Sequence, residues 1–119
     1  MSKDHTRDYT RAMFRFYSLH GQPSSDTIES LKDKLTTAAI LDLTAVNNTL
    51  RILKREGEDE TVKAIHAVYF PLPDKPLRKS EISNRITKHA LSNFLGERTV
   101  WRKLEKACKI CAKERNLNV

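Results

Sequence analysis

The sequence predicts an all-α fold, a compact helical domain ending in a helix-turn-helix, and three observations carry that reading. The chain has 119 residues, which suits one domain whose core needs neither disulfide nor metal. It holds only three glycines and four prolines, few for a β protein with many tight turns. Apolar residues recur at helical spacing through most of its length.

The first helix is expected over Arg7–Leu19, with Tyr9, Met13, Phe16 and Tyr17 on its inner stripe and Phe14 off it. Gly21-Gln22-Pro23-Ser24-Ser25 breaks the pattern. Asp26 and Glu29 have the spacing of a capping box, so a second helix should start there, with Ile28, Leu31, Leu35 and Ala39 inward. Threonines weaken the helical pattern further on, and a bend is expected near Asp42–Thr44. A third helix then runs from about Ala45 to Arg55 with Val46, Leu50 and Leu53 inward. Gly57 and the acidic run Glu58-Asp59-Glu60 mark the start of a helix to about Tyr69, because carboxylates suit the positive end of a helix dipole. Val62, Ile65, Ala67, Val68 and Tyr69 should face its core. Pro71, Pro73 and Pro76 then impose an irregular connection. Two more helices follow, Ser80–Asn93 with Ser80 as N-cap and Glu97–Arg115, with Gly96 between them where a turn calls for positive φ. There are no repeats and no low-complexity tracts.

Charge is distributed unevenly over these elements. Residues 1–77 carry 11 Lys/Arg and 11 Asp/Glu, a net of zero; residues 78–119 carry 11 and 4, so 11 − 4 = +7, the whole net charge of the chain. A solubilising charge is more often spread out. Concentration in the last third points to a localised contact with a polyanion.

Projected as a helix, Glu97–Arg115 places Val100, Leu104, Ala107 and Cys111 on one face, with Trp101 and Cys108 widening it and Ile110 flanking it. Arg98, Arg102, Lys106, Lys109 and Lys113 fall opposite. The major groove of DNA admits a helix whose first turns reach base edges. Glu97, Arg98, Thr99 and Arg102 occupy those turns and are the expected base contacts. Lys103, Lys106 and Lys109 lie further along and suit phosphate, as do Arg78 and Lys79 ahead of the preceding helix. A basic helical face alone is more often simply solvated. The charge asymmetry, the paired helices and the polar first turn together favour the DNA reading.

From Leu50 to Leu117 the chain resembles region 4 of bacterial sigma factors. The matching segments are Ile65-His66-Ala67-Val68-Tyr69-Phe70, Glu81-Ile82-Ser83, Leu95-Gly96, Thr99-Val100 and Lys106-Ala107. In size and layout the chain is similar to phage late-gene regulators of the ArpU and RinA type. Three departures stand out. Gly96 replaces the family's serine cap, Ser83 replaces a small alanine, and Glu81 and Gly96 are 15 residues apart. The family's spacing is about eight, and the extra seven or so residues make about two helical turns. Ile82, Ile86, Ala90 and Phe94 stay in phase, so a lengthened scaffold helix is expected. The resemblance implies a sequence-specific, double-stranded DNA-binding transcriptional regulator of phage or prophage origin. Residues 58–119 would then form the DNA-binding part and residues 1–57 a helical part serving dimerisation or contact with RNA polymerase. Helix-turn-helix proteins often bind as homodimers, although no heptad seam marks one here.

Other chemistries find little support. Cys108 and Cys111 have the spacing of a zinc half-site, but no second pair accompanies them, the histidines are scattered, and both cysteines fall on the apolar face. No P-loop, dinucleotide fingerprint or H-E-x-x-H occurs, so neither a cofactor nor an enzymatic role is expected. The aromatic residues of the first helix suit a core face better than a platform for single strands. No stretch approaches a membrane span and no leader is evident, so a cytoplasmic protein with reduced thiols and no membrane partner is expected. The competing readings are an adaptor that binds RNA polymerase or a host factor, and a small terminase-like DNA-packaging subunit.

Overall fold

The structure is a computed structural model that describes residues 3–117, with side chains from His5 onward. Its described residues form six helices and no strand, the all-α class expected from composition and periodicity.

The first helix, α1 (Lys3–Leu19), turns Thr6, Thr10, Met13, Phe14 and Tyr17 inward. Phe14 is wholly buried and stacks on Tyr69 with ring centroids 5.3 Å apart, while Tyr9 is 40% exposed. The expected stripe was therefore rotated. Two threonines occupy core positions that a hydropathy pattern leaves out, and the Thr10 hydroxyl satisfies itself by donating to the Arg7 carbonyl at 2.9 Å.

The second helix departs further from expectation. It is one short segment, α2 (Ser25–Ser30), capped by Ser24, whose side chain accepts from the Thr27 amide at 3.3 Å. The Asp26–Glu29 capping box does not start it. Leu31 and Leu35 still pack against the core, but from turns. Thr36 then caps α3 (Thr37–Arg55), its Oγ1 accepting from the Ala39 amide at 3.1 Å. That helix runs unbroken through residues 42–44, where a bend was expected. Thr44 and Thr49 donate to the carbonyls of Ile40 and Ala45 at 2.8 and 2.7 Å, so each hydroxyl is satisfied one turn back and the helix has no cause to break.

Gly57, at φ +74°, ends α3, and the Glu58 amide reaches back to the Leu53 carbonyl at 2.8 Å. The fourth helix, α4 (Asp59–Val68), buries Thr61, Val62, Ala64, Ile65 and Val68, with Ala67 half-buried. The proline-rich connection after it is held by two arginines from elsewhere in the fold. Arg15 of α1 donates to the carbonyls of Tyr69 and Pro71 at 2.9 and 2.7 Å, to that of Leu72 at 2.6 Å, and to that of Lys75. Arg85 donates to the carbonyls of Val68 and Pro71 at 2.8 and 3.1 Å. A segment whose carbonyls have no helical partners is thus satisfied by guanidinium groups, each offering five donors.

Next comes α5 (Lys79–Ser92), whose N-cap lies two residues before the expected one. Arg78 takes the N-cap position, and Ser80 lies inside the first turn, exposed. The turn 93–96 also differs from expectation. Gly96 has φ −77° and ψ 147°, an extended N-cap, and the left-handed residue is Phe94 at φ 55°. The chain reverses there by the Leu95 amide bonding to the Ala90 carbonyl at 2.9 Å, the closing bond of a Schellman turn.

The last helix, α6 (Glu97–Glu114), packs against α1, α3, α4 and α5 and forms the centre of the fold. Val100, Leu104, Ala107, Cys108, Cys111 and Ala112 are its buried residues. One hydrophobic cluster draws on all six helices.

Candidate nucleic-acid interface

The same periodicity that buries one side of α6 leaves the other in water. Arg98, Arg102, Lys106, Lys109 and Lys113 are exposed, and Lys103 is half-buried at the edge of the strip. Gly96 offers the first turn no side-chain cap, so the turn carries its own amide donors and dipole into solvent.

The four expected base contacts share this first segment but differ in their ties. Arg98 and Arg102, one turn apart, are exposed, and among the described residues neither is ion-paired with a carboxylate. Thr99 is also exposed. Glu97 is not independent, because its Oε1 accepts from the Thr87 hydroxyl of α5 at 2.7 Å. That bond latches the start of α6 to the preceding helix.

The expected phosphate contacts fall into two groups. Lys103, Lys106 and Lys109 continue along α6. Lys106 donates to Glu58 Oε1 at 2.8 Å, joining α6 to the start of α4, and Lys109 lies 3.8 Å from Glu105. Hydrogen bonds from Lys106 and Thr61 hold the Glu58 carboxyl below the usual carboxylate range, and Glu58 in turn raises the Lys106 ammonium. Arg78 and Lys79 stand apart, at the far end of α5 from the turn, about 20 Å along its axis. Lys79 lines a cleft of about 400 Å³ whose walls also hold Arg11, Arg15 and Lys75.

Sequence reasoning missed the contribution of α1. Arg7 and Arg11 reach the flank of α6 and share a recess with Tyr69, Trp101, Leu104 and Glu105. Arg7 is exposed, whereas the Arg11 side chain is 14% exposed and lies 3.9 Å from Asp8. Counting charge by chain segment hid these residues, because the segment containing them nets zero. The usable signal was the spacing of Arg7, Arg11 and Arg15, which puts three guanidinium groups on one side of a helix. Trp101 is 38% exposed and borders this recess, so the apolar face of α6 is narrower on that side than its projection indicated.

Cys108 and Cys111 are buried free thiols. Burial pushes the Cys111 thiol up to about 12 and raises that of Cys108. Thiols so placed behave as small apolar groups. Among the described residues no group of three or more His, Cys, Asp or Glu is arranged to hold a metal ion, and no helix is long and apolar enough to cross a membrane.

Comparison of the chain with family models, with curated proteins and with solved structures yields no match.

Proposed function

We propose that this chain binds double-stranded DNA in a sequence-specific way, with α5 and α6 acting as a helix-turn-helix and the first turns of α6 entering the major groove. The observation that carries the reading is the state of α6. Its inner side is core, its outer side is a cationic strip, and Arg98 and Arg102 are exposed in its opening turns with no ion-pair partner among the described residues. Unpaired guanidinium groups one turn apart suit bidentate contacts to guanine O6 and N7. Arg7, exposed on α1 beside α6, widens the cationic surface and suits phosphate. The resemblance to sigma region 4 extends the reading to a non-enzymatic regulator of transcription of phage type, with RNA polymerase as a further partner.

The test is selection of a preferred duplex from a random pool, followed by binding of variants to it. Arg102→Ala should lose about 1–3 kcal/mol on the selected site and relax preference at one base pair. Lys103→Ala should weaken all duplexes alike and reduce the salt dependence by about one ion. Equal binding of the selected site by Arg102→Ala and the parent would exclude this docking of α6.

A further inference from the structure

The α5–α6 turn carries a side chain that the fold itself does not use. Phe94 is 96% exposed, and its backbone sits at φ 55°. Both features oppose folding. The ring remains in water, and a residue with a Cβ is strained in the left-handed region. Glycine is the usual residue at this point of a Schellman turn and would relieve both at once. One turn earlier, Leu91 is 74% exposed, so the tip of the hairpin is an apolar projection.

The surroundings of this tip indicate its partner. Exposed cations bracket it in the chain, Lys88 on α5 and Arg98 and Arg102 on α6, while the carboxylate beside it, Glu97, is engaged by Thr87. Centres of protein–protein interfaces are depleted in charge and extend over many apolar side chains. A small apolar tip set among cations instead complements a polyanion that presents apolar groups between its phosphates. Duplex DNA does so through the thymine C5-methyl in the major groove, a group that phenylalanine contacts.

We propose that Phe94 is a specificity residue that packs against thymine methyl groups at the edge of the bound site. The proposal rests on the duplex-DNA reading above and adds apolar readout to the polar readout by α6.

The experiment compares the parent with Phe94→Gly on the selected duplex and on copies in which single thymines are replaced by deoxyuridine, which removes only the methyl. The parent should lose about fourfold in affinity per contacted methyl, the value of burying one methylene-sized group. Phe94→Gly should bind the thymine duplex weaker by a similar factor and ignore the replacement. Its melting temperature should equal or exceed that of the parent, which separates a lost contact from a damaged fold. Equal affinity and equal deoxyuridine sensitivity in the two proteins would overturn the Phe94 contact alone. A parent that binds no duplex at low salt would overturn both readings together. Unchanged DNA binding by Phe94→Gly with lost association to purified RNA polymerase would assign the tip to a protein partner and overturn the thymine contact.

Discussion

Arg15 ties the proline-rich connection to α1 through the carbonyls of Tyr69, Pro71, Leu72 and Lys75. Replacing it with methionine keeps most of the apolar stem and removes the guanidinium donor from all four carbonyls, leaving Pro71 with Arg85 and Leu72 with the Lys75 amide. Hydrogen bonds from charged groups are worth about 1.5–3 kcal/mol each when measured singly, and they do not add. Arg15→Met should therefore cost about 2–4 kcal/mol in urea denaturation. The buried thiols make a second prediction at this scale. The folded-state value of Cys111 is raised to about 12, against about 8.5 for a free thiol. Its stabilising contribution is fully present below the unfolded value and is lost as pH rises from there through the folded value. Tyr69, also raised by burial, acts in the same direction. The urea midpoint should fall progressively above about pH 9, and native-state alkylation of both cysteines should be limited by opening of the fold. At residue scale the sequence conveyed the buried cysteines well, because they fall in phase with Val100 and Leu104. It did not convey the arginine clasp, since hydrogen bonds spanning more than fifty residues leave no local pattern.

Helices with a strong apolar period and an evident stop were readable: α4, α5 and α6 all lie within two residues of their expected bounds. The region between Ser24 and Arg55 was not, and the reason is threonine. Threonine suits a cap, a turn or a helix interior according to where its hydroxyl finds an acceptor. Thr36 uses its oxygen as a cap, whereas Thr44 and Thr49 bond back within α3. Spacing alone does not separate these uses. Thr36→Ala should consequently destabilise the fold by about 1 kcal/mol, read from thermal or urea unfolding. The Lys106–Glu58 pair gives an element-scale prediction about binding. Lys106 has to give up or share a 2.8 Å contact to reach phosphate. Glu58→Gln should thus raise affinity for any duplex modestly at low salt, and Lys106→Ala should cost less than Lys103→Ala, both measured by anisotropy.

The whole molecule is compact, with a radius of gyration of 13.9 Å. About 13.5 Å is expected for a chain of this length. Compactness explains why the basic surface is not confined to the last third of the sequence. Since α6 packs on α1, Arg7 of α1 comes to lie beside Lys109 and Lys113 of its exposed strip, although segment by segment the charge is lopsided. The candidate site was therefore half readable. The α6 residues follow from one helix's own period, while Arg7 joins them through packing of residues about a hundred positions apart. On the proposed reading, this composite surface binds duplex DNA and prefers particular sequences. Fluorescence anisotropy with a selected duplex and a scrambled one, at about 50 and 200 mM salt, tests it most directly. Affinity for both should fall by orders of magnitude with salt, and the selected duplex should bind tighter throughout. Binding to neither at the lower salt would contradict it.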